Sequence, residues 1–123
     1  MNIQQLYEFC LSKRGVTEHF PFDEDTLVFK VGGKMFALTS LSKWEKESPA
    51  INLKCDPKVA LELRDNFEGI NPGWHMSKIH WNTVTINDDV PDRKVLHLIN
   101  HSYELVFSSL TKKIKTEIEN IEN

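Results

Sequence analysis

Residues Thr26–Ser40, TLVFKVGGKMFALTS, decide the fold. Two apolar runs flank Gly32-Gly33, and because both glycines accept positive φ the pair reads as a two-residue turn joining antiparallel strands. Counting away from the turn pairs Phe29 with Phe36 and Leu27 with Leu38. That puts these four on the buried face and Val28, Lys30, Met35 and Ala37 on the other. A lone hairpin cannot close a core, so it needs neighbouring strands and helices.

The flanking sequence supplies both. Upstream, Ile3, Leu6, Tyr7, Phe9 and Cys10 fall at helical spacing over residues 3–13, with Asn2 as N-cap, Gln5 three residues on and Gly15 past the end. His19-Phe20-Pro21-Phe22 is restricted by its proline to a short edge piece, and Asp23-Glu24-Asp25 is a solvated turn without the spaced ligands of a calcium loop. Downstream, Leu41–Pro49 is a polar loop around Trp44, which either packs on the core edge or stands out as a contact residue. Ala50–Cys55 alternates like a half-buried strand. Asp56-Pro57 opens a second helix with Val59, Ala60, Leu63 and Phe67 inward. Ile70–Gly73 reads as a turn and Lys78–Ile86 as a strand. Pro91 starts a last helix carrying Val95, Ile99, Tyr103, Val106 and Leu110 on its inner face. Beyond it Ile114, Ile118 and Ile121 mark an amphipathic tail that docks on the body or on a second subunit.

A chain of 123 residues, 40% hydrophobic and 27% charged, fits one compact domain. It has no run of membrane-spanning length, and MNIQQLYEFC lacks the order of a signal peptide, so a cytoplasmic protein with no membrane association is expected. Cys10 and Cys55 form no CxxC pair and read as reduced thiols. His97, His101 and Glu104 lie at i, i+4 and i+7, but they project away from the inner face and read as solvated; neither metal nor cofactor is expected. The net charge of −3 argues mildly against a generic nucleic-acid binder. Its distribution is uneven, since residues 26–55 carry five lysines against Glu45 and Glu47. The strands and loops are therefore basic and the helices acidic.

The densest chemistry lies in Pro72–Val84, PGWHMSKIHWNTV, which holds two of the three tryptophans and two of the five histidines. If the strand begins at Lys78, Ile79, Trp81, Thr83 and Thr85 share one side, and His80 and Asn82 share the other with Val84 and Ile86. His80 and Asn82 then either emerge into a pocket or are buried and hydrogen-bonded to neighbouring backbone.

The succession GVTEHFPFDEDTLVFKVGGKMFAL, INLKCDP and PGWHMSKIHWNTV closely resembles the MmcQ/YjbR family over roughly residues 2–112. The resemblance implies an α+β, two-layer fold: an antiparallel β-sheet packed on one face by helices, in the order α-β-β-β-(β)-α-β-α, comparable with CyaY/frataxin and secretion-chaperone-like folds. It implies one domain over 1–112, with 113–123 as a helical extension or tail. Iron handling does not carry over, because the first helix offers only Glu8 as an acid.

The family carries a DNA-binding label, and the leading expectation is a non-enzymatic DNA-binding protein using a basic, tryptophan-containing sheet face. Lys30, Lys34, Lys54 and Lys78 would meet phosphates. Trp74, His75 and Trp81 would stack on bases, His80 would join them at the site, and Asn82 would bond a base edge. Four phosphate contacts would give a salt slope of about −3 to −4. The alternative is a protein-interaction or small-ligand module built on Trp44, Trp74, Met76 and His80. A monomer or weak homodimer is expected in either case. An enzyme is the weakest reading, since His75 and His80 have no sequence-evident catalytic partner.

Overall fold

The structure, a computed structural model, describes residues 1–121; the last two residues of the expected tail lie outside it. Eleven elements run in chain order: α1 (Ile3–Leu11), β1 (Val16–His19), β2 (Thr26–Val31), β3 (Lys34–Ser40), α2 (Leu41–Glu45), β4 (Ala50–Lys54), α3 (Pro57–Asn66), β5 (Ile70–Pro72), β6 (Trp81–Thr85), α4 (Asp92–Ser108) and α5 (Lys112–Glu119). The strands form one antiparallel sheet in the order β1-β2-β3-β4-β6-β5. The fold is α+β, with the main core closed between one sheet face and the helices.

The local signals act as their chemistry requires. Asn2 and Gln5 form a reciprocal capping box, each side chain accepting from the other's backbone N–H at 2.8 and 2.9 Å. Asp56 caps α3 through the amides of Lys58 and Val59, with Pro57 in the first turn. Of the stripe expected on α3, Ala60 and Leu63 are buried and Phe67 packs at the core margin, while Val59 stays exposed. The hairpin turns at Gly32-Gly33, both at positive φ.

The hairpin register differs from simple alternation. Lys30 pairs with Met35, but Phe29 pairs with Ala37, so Phe36 is an extra residue in β3. This bulge lets Phe36 and Ala37 both enter the helix-side core and turns Leu38 to the opposite face, against Val28. Leu27 then faces Thr39 rather than Leu38. Ser102 on α4 secures the bulge from inside the core: its hydroxyl donates to the Phe36 carbonyl at 2.5 Å and accepts from the Lys54 N–H at 2.9 Å.

Four further differences matter for the site. Leu41–Glu45 is a short helix, because the Asp25 carboxylate caps it by accepting from the Ser42 N–H at 2.8 Å; this acid is structural, not merely solvated. Ile70–Pro72 is an edge strand, not a turn. The last strand starts at Trp81 rather than Lys78, since residues 77–81 form a turn closed by the Trp81 N–H on the Ser77 carbonyl at 3.0 Å. The tail folds back as α5, and Ile118 is buried beside Gly15, where a Cβ would lie 2.9 Å from its Cγ2.

Candidate functional site

With the helices on one side, the other sheet face is the available surface. Cross-strand register places His19, Val28, Leu38, Asn52, Thr83 and Asn71 in one row across all six strands. Val28, Leu38 and Trp81 form a small second hydrophobic cluster there, flanked by Met35 and Met76.

The segment after Gly73 folds over this row. The Thr83 hydroxyl accepts from the Trp74 N–H at 2.9 Å and donates to Asn52 Oδ1 at 2.6 Å, and Asn52 Nδ2 donates to the Trp74 carbonyl at 3.1 Å. Both backbone groups of Trp74 are thereby tied to the sheet through two side chains, and His75 takes up a left-handed conformation at φ 59°. Gly73 permits the close approach, since a Cβ there would lie 2.7 Å from Trp81 Cβ.

Beside the anchored segment, on the open sheet face, is a cleft of about 330 Å³. Leu38, Ala50, Asn52 and Thr83 make its floor; Phe22, Trp74, His75 and Met76 its walls; Lys43 stands at the rim with Nζ 4.2 Å from the Trp74 ring centroid. Phe22 and Trp74 are 62% and 57% exposed, high for side chains of their size. No carboxylate lines the cleft among the described residues. Nearby Asp25 is held below the usual carboxylate range by the Ser40 hydroxyl and then the Ser42 amide and hydroxyl.

Of the residues expected to touch DNA, the structure gathers only some. Trp74 and His75 line the cleft. Lys30 and Lys54 lie on the same sheet face, opposite Met35 and Trp81. Lys34 pairs with Val31 and so takes the helix side, at the exposed end of the hairpin. Lys78 belongs to the 77–81 turn, its Nζ donating to the Gly73 carbonyl at 3.3 Å.

Four further residues do not fill the roles expected of them. Trp81 is only 8% exposed, because its ring covers Val28 and Leu38, and it cannot stack on a base. Asn82 is 2% exposed and accepts from Arg64 Nε at 2.7 Å, which is the buried, hydrogen-bonded reading; it reads no base edge. His80 is exposed but outside the strand, with its carbonyl accepting from the Cys55 N–H, and takes no part in the cleft. Trp44 packs against the core edge and donates to the Thr39 hydroxyl at 2.9 Å, so it is absent from the cleft as well.

Phe22, Leu38, Lys43, Asn52 and Thr83 were not legible as site residues. The one available signal was Thr83 sharing a face with Trp81; Leu38 was hidden by the bulge, and the rest depend on the fold of residues 73–77.

Together these features define a small two-layer α+β protein whose exposed sheet face is roofed by an anchored aromatic segment. The sequence model of the YjbR family matches residues 11–105, and the chain belongs to that family. It is 29% identical to the uncharacterized protein YjbR of Escherichia coli K12 over 113 residues, covering 92% of this chain and 93% of that one. It is 38% identical to the uncharacterized protein YbdF of Escherichia coli O157:H7 over 94 residues, 76% and 75% of the respective chains. Among solved structures, the Deinococcus radiodurans protein DR2400, of family-model domain DUF419, superposes with a TM-score of 0.89 at 36% identity over 96% of this chain and 88% of that one. A Pseudomonas syringae protein superposes at 0.72 with 27% identity over 86% and 99%.

Proposed function

We propose that this YjbR-family protein is a non-enzymatic binding module whose site is the cleft beneath Trp74. The carrying observation is the cleft itself: about 330 Å³ of mainly apolar-walled space, of the size small ligands fill, roofed by a segment whose backbone is bonded to the sheet on both sides. That anchoring fixes the wall before any guest arrives, which lowers the ordering cost of binding. The cleft's floor polar groups, Asn52 and Thr83, are engaged in holding the roof. They orient rather than react.

DNA on the same face is a second reading, favoured by Lys30 and Lys54 beside the cleft and by the exposed Trp74. With Lys34 on the helix side, the four phosphate contacts shrink to about two or three, for a salt slope of about −2 to −3.

Amide NMR spectra separate the two. A small apolar fragment library should shift resonances of Leu38, Asn52, Trp74 and Met76, with affinity unchanged between low and near-physiological salt. Short single- and double-stranded DNA should give no comparable shifts. Binding of DNA that collapses with salt and weakens in Lys30→Ala/Lys54→Ala, with no fragment bound in the cleft, would replace the first reading by the second.

A further inference from the structure

We infer that the cleft selects a flat organic anion, an aromatic carboxylate of one or two rings; this rests on the cleft being a ligand site. Three features of the cleft combine to set that chemistry. Its body is apolar and aromatic: Phe22 and Trp74, both largely exposed, line it together with Leu38 and Met76, and the Trp74 ring rests against His75 with centroids 4.2 Å apart, a lining suited to a weakly hydrated aromatic guest. Its rim carries a cation, Lys43. Lys43 and His75 are the ionisable side chains that line it, and no carboxylate does.

Lys43, finally, is available. Among the described residues it makes no ion pair, and its ammonium rests 4.2 Å from the centroid of the Trp74 ring. That contact uses the quadrupole of the ring and leaves ammonium hydrogens to donate. An aromatic acid seated in the cleft among Phe22, Leu38 and Met76 would bring its carboxylate to this cation at the rim, where the bond is charge-assisted. A cationic guest would meet the Lys43 ammonium with no carboxylate in the lining to pair with. A neutral guest would gain the apolar contact alone. Asp25, which bonds the lining residue Ser40, holds its oxygens on Ser40 and Ser42 and caps α2, the helix that carries Lys43. The cap fixes the start of the helix from which Lys43 reaches the rim.

The test compares 1-naphthoate with its neutral isostere 1-naphthamide by isothermal titration calorimetry on the full chain, with the Trp74 indole N–H resonance locating the guest. Naphthoate should bind about two- to fivefold tighter, the range expected of a charge contact at a partly solvated rim. Lys43→Gln should abolish the preference while leaving naphthamide binding in place, and Trp74→Ala should weaken both. Equal affinity of acid and amide, or a preference that survives Lys43→Gln, overturns the anion assignment while the cleft stands as a site. Failure of both compounds to move the Trp74 resonance overturns the aromatic-acid assignment, and the cleft reading falls with it when the fragment library also leaves Leu38, Asn52 and Met76 unshifted.

Discussion

Replacing Ser102 by alanine tests the reasoning about the bulge on which the open face depends. Ser102 is fully buried, and its hydroxyl satisfies two backbone groups from different strands: the Phe36 carbonyl, displaced by the extra residue in β3, and the Lys54 N–H at the end of β4. Alanine nearly preserves the volume but leaves both groups without a partner in the core. A stranded backbone group costs about 1–3 kcal/mol. Because Lys54 sits near solvent, its share falls at the low end, and the expected loss is about 2–4 kcal/mol. For a chain of this length that corresponds to a fall in Tm of about 8–16 °C. Urea denaturation should show a lower midpoint with an unchanged m-value. Ser109→Ala is the matched control: that hydroxyl bonds the Val106 carbonyl within the last turn of the same helix, and its loss should stay within about 0.5 kcal/mol. If Ser102→Ala is no more costly than Ser109→Ala, α4 does not hold the bulge, and the outward placement of Leu38 has another cause.

The hairpin glycines should separate cleanly. A Cβ at Gly32 would lie 2.6 Å from Leu110 Cδ1, so Gly32→Ala combines left-handed strain with overpacking and should cost about 2–4 kcal/mol; Gly33 has open space, and its alanine should cost about 1 kcal/mol by chemical denaturation. The two thiols should resist Ellman's reagent in the folded state at pH 8 and react in urea, because burial pushes Cys10 up to about 12 and Cys55 up to about 11. Since the folded chain keeps those protons after the unfolded chain has released them, stability should fall as pH rises from about 9 toward 11, and Cys10→Ala should flatten that fall in urea midpoints.

What the sequence disclosed depended on how local the cause was. The capping box at Asn2 and Gln5, the Gly32-Gly33 turn and the Asp56-Pro57 helix start are each set within a few residues, and each stands as read. The bulge is invisible to alternation because Phe36 and Ala37 are both apolar, and the residue that steadies it is Ser102, distant in sequence. Asn82 looked like a site residue until Arg64, from the preceding helix, took its carbonyl oxygen. The start of β6 likewise depends on Arg64, which donates to the carbonyls of Lys78 and Trp81 and rounds off residues that otherwise alternate like a strand. The cleft was the least legible feature, because its roof is fastened by Asn52 and Thr83 on two different strands.

The hydrophobic side chains separate into two groups with unequal duties. The large cluster between sheet and helices holds the molecule together, whereas Phe22, Lys43, Trp74 and His75 lie outside both clusters, and Met76 only flanks the smaller one. Substitutions at those positions remove little buried surface, so lineages of this fold are free to exchange the cleft's walls and rim while retaining the same body. If the cleft is the binding site proposed above, relatives matching this chain closely in backbone can differ in what they hold, and similarity in the core is a poor guide to shared ligands. On the proposed reading of the cleft, a comparison restricted to those positions would sort the family by guest.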